Sequence, residues 1–136
     1  ILCGWDLWIA ERRHEIVELE AYVHGPQHMD PYTHGDVGQL VCGAWYFHKK
    51  GGSYKGGSFK GMDLACGDST RKVSAGLLLR SVRDVAEDKI VEGPCLVVNH
   101  ILELNGKASI AEFVEGRDVE ALPADDVQGL RLLPSK

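Results

Sequence analysis

The sequence lacks the features that mark several classes of protein. It contains no run of about 18 apolar residues and no apolar leader, so it predicts neither a transmembrane helix nor a secretory signal peptide. Its four cysteines lie far apart with no CxxC pair, which favours reduced thiols in an intracellular protein over disulfides. Internal repeats, low-complexity tracts and linkers are also missing, and the length of 136 residues fits one domain.

Basic charge is scarce. The chain has 15 Lys and Arg against 20 Asp and Glu, a net charge of −5. Because Lys and Arg supply most of the affinity for DNA phosphates, this balance argues against tight nonspecific DNA binding.

One stretch departs from the acidic balance. Residues 44–62 contain no acid but four lysines and five aromatic residues: Lys49, Lys50, Lys55, Lys60, Trp45, Tyr46, Phe47, Tyr54 and Phe59. Such a stretch could bind a phosphate backbone and stack on a base. Its glycines also fit a hairpin with solvated lysines and core aromatics, so both interpretations stay open.

Two strands are predicted from the hydrophobic pattern. Residues 17–23 alternate, which predicts a strand with one buried face and one face free for a site. The buried face would carry Val17, Leu19, Ala21 and Val23, and the opposite face Glu18, Glu20 and Tyr22. Residues 73–82 predict a buried strand, at whose end Arg80 needs an acidic or phosphate partner.

Helix signals appear towards the C-terminus. Pro94 suits the first turn of an apolar helix that Asn105-Gly106 ends. Ser109 and Glu112 have the spacing of a capping box that opens a second helix, and a short strand is predicted around 130–133. These elements predict a single α+β domain, a mixed but mainly antiparallel curved sheet with helices packed at its side.

Four stretches, taken in order, resemble the motifs of the 3-methyladenine (alkyladenine, methylpurine) DNA glycosylase family. They are Glu20-Ala21-Tyr22 with His34 downstream, residues 52–63, residues 76–80, and Glu92-Gly93-Pro94 at the start of an apolar helix. The resemblance covers residues 16–105. The chain is shorter than expected for this family and starts without a methionine, so the predicted domain, residues 1–136, is expected to be either a fragment truncated at both ends or a reduced version of the family's domain.

The resemblance implies a monofunctional hydrolase that flips a damaged purine out of double-stranded DNA and cuts its N-glycosidic bond, without a cofactor. Glu20 matches the general base that activates water. The implied site comprises catalytic residues Glu20, Arg80 and His34, base-binding residues Tyr22, His34, Met62 and Asp63, and DNA-binding residues Tyr54, Lys55 and Lys60. The implied protein is a monomer, nuclear in a eukaryote and cytoplasmic in a bacterium.

Three positions depart from the family pattern. The loop between Tyr22 and His34 is longer than expected, and Asp63 stands where an asparagine is expected. The aromatic residue that enters the duplex in family members falls near Gly56, so Tyr54 or Phe59 would have to replace it.

Two alternatives compete with the glycosylase interpretation. His24, His28, Asp30 and His34 fall within eleven residues, with Cys42 and His48 nearby, and such residues can bind zinc or iron. The second alternative is a noncatalytic or nucleoside-directed relative with the same fold. It would agree better with the acidic charge and with the absence, near Gly56, of the wedge, the aromatic residue that enters the duplex.

Overall fold

The computed structural model describes residues 3–29, 37–118 and 122–136. In these ranges the strands are β1 (Trp5–Ile9), β2 (Arg12–His24), β3 (Trp45–Phe47), β4 (Lys49–Lys50), β5 (Ser53–Tyr54), β6 (Met62–Ala65), β7 (Ser74–Asp84), β8 (Lys89–Glu92) and β9 (Leu130–Pro134). The helices are α1 (Pro94–Leu104) and α2 (Ile110–Val114), and short 3-10 helices span Val37–Leu40 and Gly57–Phe59.

A seven-stranded sheet with antiparallel pairings dominates the described part of the chain. Its strand order is β3-β6-β7-β2-β1-β9, and β8 also pairs with β7. Along one side of β7 runs β2, while the other side takes β6 near its start and β8 near its end. The expected α+β domain, with a curved and mostly antiparallel sheet and helices, is confirmed.

The long pairing of β2 with β7 contains two irregularities near its middle. Ile16 lies opposite Val82, Glu18 opposite Ser81 and Leu19 opposite Leu79, so each strand has one extra residue, Val17 in β2 and Arg80 in β7. Such bulges redirect side chains relative to the regular alternation. Here they turn Val17 towards solvent, where it is 52% exposed.

The predicted buried face of β2 is therefore wrong in part. Val17 and Val23 are exposed, as is Ala21, and only Leu19 of that set packs against the core. The bulge accounts for Val17. The core cluster reaches Ile16 and Leu19 but does not extend to the end of β2 near Val23.

The core lies between one face of the sheet and the two helices. It combines Leu79 and Val82 of β7 with Val97 and Ile101 of α1 and Phe113 of α2. None of the helices in the described ranges has the length and apolar character needed to cross a membrane.

The predicted helix ends are confirmed. Pro94 occupies the first turn of α1, and Gly106 follows its end with a φ of 65°. The Ser109 side chain accepts a hydrogen bond from the Glu112 backbone N–H at 3.1 Å and thereby caps α2. The predicted buried strand extends to Asp84, and the strand at 130–133 is β9.

We expect Phe113→Ala to destabilise the domain by about 3–5 kcal/mol, because truncation of a buried ring leaves a cavity. Phe113 is 2% exposed and its ring centroid lies 5.9 Å from that of Phe47. Phe59→Ala is the matched control, since Phe59 is 76% exposed and its loss should change stability by less than about 0.5 kcal/mol. Urea unfolding measures both, and equal losses would contradict this arrangement of the core.

Candidate functional site

Glu20 and Arg80 form an ion pair between β2 and β7. Arg80 Nη1 donates a hydrogen bond to Glu20 Oε2 at 2.7 Å, and Arg80 Nε lies 3.6 Å from Glu18 Oε1. The side chains of Glu20 and Arg80 are 53% and 39% exposed, so solvent reaches both. The expectation that Arg80 requires an acidic partner is confirmed, although the pair is at the surface rather than buried.

Tyr22 points from the same strand face as Glu20 and crosses β7 above Gly76. Gly76 lies directly opposite Tyr22, and the Tyr22 hydroxyl donates a 2.5 Å hydrogen bond to Asp63 Oδ2 on β6. A Cβ atom at Gly76 would lie 2.8 Å from the same carboxylate oxygen. The missing side chain at Gly76 therefore provides the path by which Tyr22 reaches Asp63.

Asp63 is fully buried and accepts hydrogen bonds from three side chains. Besides Tyr22, Gln39 Nε2 donates to Oδ2 at 3.2 Å and His48 Nε2 lies 2.8 Å from Oδ1. His48 Nε2 is also 3.2 Å from the Tyr22 hydroxyl oxygen. These four residues, which we call the Asp63 cluster, satisfy a buried carboxylate that would otherwise be costly and hold the Tyr22 ring in one orientation.

The cluster also sets the protonation state of Tyr22. Burial raises the pKa of the Tyr22 phenol far above its usual value, and the negative charge of Asp63 raises it further. Tyr22 therefore stays a neutral hydrogen-bond donor to Asp63 well into the alkaline range.

A cleft of about 390 Å³ opens at Leu78, one strand away from Glu20, and Glu20, Tyr22 and Arg80 are not part of its lining. Its lining includes Leu78 of β7, His48 directly after β3, and the apolar side chains of Phe59 and Leu96. Leu78 is the cross-strand neighbour of Glu20, and side chains opposite each other in an antiparallel pair lie on the same face. Because Phe59 and Leu96 are 76% and 56% exposed, the cleft offers apolar surface to a flat ligand next to a carboxylate.

The structure brings together Glu20, Tyr22, Asp63 and Arg80 of the predicted site. Of these four residues, Asp63 is fully buried and contacts the others only through the Tyr22 hydroxyl. The prediction that Met62 binds the base is wrong. Alternation along β6 turns Met62 away from Asp63 and into the core cluster, where it is fully buried and a base cannot reach it. His34 lies outside the described residues.

The residues predicted to bind DNA do not all face the cleft. Lys60 lines it, whereas Tyr54 and Lys55 do not; all three line a second groove together with the start of α2. The Tyr54 ring packs edge-on against Phe47 and carries Lys49 Nζ 5.1 Å from its centroid. Tyr54 is thus engaged in packing, and Phe59 is the more exposed of the two proposed wedge residues.

The predicted metal set is only partly within the described residues, since Asp30 and His34 fall outside them. Among the residues that are described, no group of three potential ligand atoms includes His24, His28, His48 or Cys42. His48 is instead bound to Asp63.

Gln39 and the role of His48 were not expected from the sequence. Gln39 is fully buried and comes from a 3-10 helix that has no recognisable pattern. His48 directly follows β3 and continues the alternation that puts Tyr46 opposite Asp63, so knowledge of the pairing of β3 with β6 would have indicated it.

Comparison with known proteins gives one relative and no family. No protein-family model matches the chain, and no solved structure does. Uncharacterized protein L759 of Acanthamoeba polyphaga mimivirus is 36% identical over 122 residues, which cover 81% of this chain and 56% of L759. The chain spans just over half the length of this relative.

We expect Gly76→Ala to destabilise the protein by about 1–3 kcal/mol, because the added Cβ meets Asp63 at 2.8 Å within a packed sheet. Gly56→Ala is the control, since no atom lies within 4 Å of its Cβ position and its φ of −110° suits any residue. Urea unfolding of both variants measures the difference. Equal stabilities would mean that Tyr22 and Asp63 do not meet above Gly76.

A second prediction concerns the ionisation of Tyr22. Because its folded-state pKa is raised above that of the unfolded chain, the stability that Tyr22 contributes is fully present below about pH 10 and is lost as the pH rises further. At about pH 11 the folded wild type and Tyr22→Phe should therefore show the same number of ionised tyrosines by ultraviolet absorbance. One fewer phenolate in the variant would show that Tyr22 titrates normally.

Proposed function

We propose that this protein is a monofunctional DNA glycosylase that hydrolyses the N-glycosidic bond of a damaged purine, with Glu20 as the general base. The observation that carries the proposal is the 2.7 Å hydrogen bond from Arg80 to Glu20, beside a cleft and next to Tyr22 on the same strand face. The resemblance of residues 16–105 to the methylpurine-DNA glycosylase motifs supports it.

Arg80 would hold the carboxylate in a fixed orientation. It occupies Oε2 of Glu20, and among the described residues no other side chain donates to this carboxylate. The second oxygen is then available to a water molecule. Because the guanidinium is planar and always charged, it keeps the carboxylate oriented without competing for the proton.

In the proposed reaction the Glu20 carboxylate accepts a proton from water as the water oxygen bonds to the anomeric carbon. The carbon–nitrogen bond breaks, and the base leaves with the bonding electrons. Positive charge that develops on the sugar is stabilised by the adjacent carboxylate. No lysine nucleophile takes part, so strand cleavage by a Schiff base is not expected.

The flipped base would occupy the cleft beside Glu20. A volume of about 390 Å³ is within the range of pockets that hold small ligands. Tyr22, held by the Asp63 cluster, does not line the cleft but would contact the edge of the base that extends from it towards Glu20, and Asp63 would act through Tyr22 rather than on the base itself. A ring held in advance loses little conformational entropy when the base enters.

The net charge of −5 opposes binding to DNA phosphates, so the contacts with DNA must be local. The contacts would come from Lys60, which lines the cleft, and from the exposed Phe59 in place of the expected wedge. A free nucleoside is the alternative substrate, since it needs the same cleft and base without phosphate contacts.

The test is release of the base from duplex oligonucleotides that carry one 3-methyladenine, hypoxanthine or ethenoadenine, measured at low salt under single-turnover conditions. We expect Glu20→Gln to lower the rate at least about 100-fold, because the amide cannot accept the proton. Glu15→Gln is the matched control: Glu15 also lies on β2 and pairs with an arginine of β7, Arg83, at 2.7 Å. It should release the base at the wild-type rate.

Other results would change the assignment. Equal loss of activity in both variants would mean that the charge of β2, rather than Glu20, matters. If the folded protein releases no base from any duplex but cleaves a free purine nucleoside in a Glu20-dependent way, the nucleoside alternative replaces the proposal. If it does neither, the protein is a noncatalytic relative.

A further inference from the structure

A second group of chemistry-bearing side chains lies away from Glu20, where β2, the end of β7 and α1 meet. His14 of β2 lies opposite Asp84 of β7, and His100 of α1 reaches the same point. His14 and Asp84 are fully buried, and the side chain of His100 is 16% exposed. This His14–Asp84–His100 group has no part in the proposed glycosylase reaction.

The ligand atoms of the three residues converge. His14 Nε2 lies 2.9 Å from His100 Nε2 and 3.6 Å from Asp84 Oδ2, while His100 Nε2 lies 3.9 Å from the same oxygen. Two imidazole nitrogens bound to one tetrahedral zinc ion, each at 2.0–2.1 Å, are separated by about 3.3 Å. The observed separations bracket this value, so small side-chain shifts would place all three atoms around one ion.

The proton positions favour a metal ligand at His14. Its Nδ1 lies 3.0 Å from the backbone carbonyl oxygen of Arg12. A carbonyl can only accept a hydrogen bond, so Nδ1 carries a proton, and in the neutral ring, which burial favours by lowering the pKa of His14, Nε2 presents its lone pair to His100 and Asp84. Histidine ligands in metal sites are oriented in this way by a bond to the other ring nitrogen.

Asp84 is oriented as well. Its Oδ1 accepts hydrogen bonds from the backbone N–H groups of Ala86 and Glu87 at 3.0 and 3.3 Å, which leaves Oδ2 directed at the histidines. Arg12 also contacts Oδ2, but the same Nη2 atom lies 2.8 Å from Glu87 Oε1. Since the Arg12 side chain is 31% exposed, it can keep Glu87 as its partner when a cation binds Asp84.

We propose that His14, Asp84 and His100 bind one divalent transition-metal ion, zinc in the first place, that joins the sheet to α1. Two imidazoles and one carboxylate suit zinc. Calcium and magnesium are harder ions that prefer sites made of oxygen ligands. Three protein ligands would leave a fourth position of a tetrahedral ion for water.

The test uses the chain purified without a histidine tag, treated with chelator and then titrated with zinc by calorimetry. We expect one zinc ion per chain and a rise in Tm on binding, because the ion binds the folded state. Replacement of the metal by cobalt(II) should give the d–d absorption of a four-coordinate site with nitrogen ligands.

His100→Gln is the decisive variant, since its side chain lies at the edge of the group and its loss leaves the core packed. It should weaken zinc binding more than about tenfold and abolish the Tm rise. His28→Gln is the control, because His28 is exposed and lies in the other histidine-rich segment. Arg12→Gln should tighten binding, since it removes a competing cation.

Three results would overturn the proposal. They are no zinc binding by the folded wild type, unchanged binding by His100→Gln, and loss of binding in His28→Gln alone, which would place the metal in the segment that follows β2. In the first case the 2.9 Å contact of His14 with His100 is a hydrogen bond between neutral rings.

Discussion

The pairing of β2 with β7 is the constraint on which both sites depend. Ten registered positions run from His14 opposite Asp84 to His24 opposite Ser74. The first of these pairs supplies two of the proposed metal ligands, and Tyr22 opposite Gly76 supports the Asp63 cluster. Between them Arg80, which has no registered partner at the irregularity, donates its hydrogen bond to Glu20. A shift of register by one residue would move every one of these side chains to the other face of the sheet.

Two buried carboxylates illustrate how this sheet tolerates charge. Asp63 and Asp84 are both fully buried, and each is surrounded by donors. Asp63 takes its hydrogen bonds from the side chains of Tyr22, Gln39 and His48. Asp84 takes two from backbone N–H groups and pairs with Arg12. A buried carboxylate with fewer partners would cost several kcal/mol, so these networks specify the positions of the side chains around them.

Local signals predicted the parts of the fold that depend on nearby residues. The ends of α1 and α2 follow from Pro94, Asn105-Gly106 and the Ser109 cap, and the apolar run of β7 indicates a strand buried on both faces. The pairing of β3 with β6 was not predicted, because all seven residues of the two strands are buried and show no alternation. Val17 was predicted to be buried but is exposed, because it lies at a bulge. A bulge depends on the pairing with the partner strand and cannot be read from the sequence of β2 alone.

The same limit applies to the sites. The resemblance to a family pattern placed Glu20, Tyr22 and Arg80 in one predicted site, a long-range relation that periodicity cannot supply. His14 and His100, by contrast, are separated by 86 positions and belong to different kinds of element. Their nearest acidic neighbours in the sequence, Glu15 and Glu103, are not part of the group, and only the packing of α1 against the end of the β2–β7 pair brings the two histidines together. A metal site built in this way leaves no spacing motif.

Helix α1 connects the two sites physically. Leu96 lines the cleft beside Glu20, and His100 lies four residues later, one turn or about 6 Å along the same helix. On β2 the corresponding residues, Glu20 and His14, are separated by about 20 Å of strand. A metal ion that fixed His100 against His14 and Asp84 would restrict the movement of α1 relative to the sheet. The apolar surface that Leu96 presents to a ligand would then be held at a set distance from Leu78, its counterpart across the cleft.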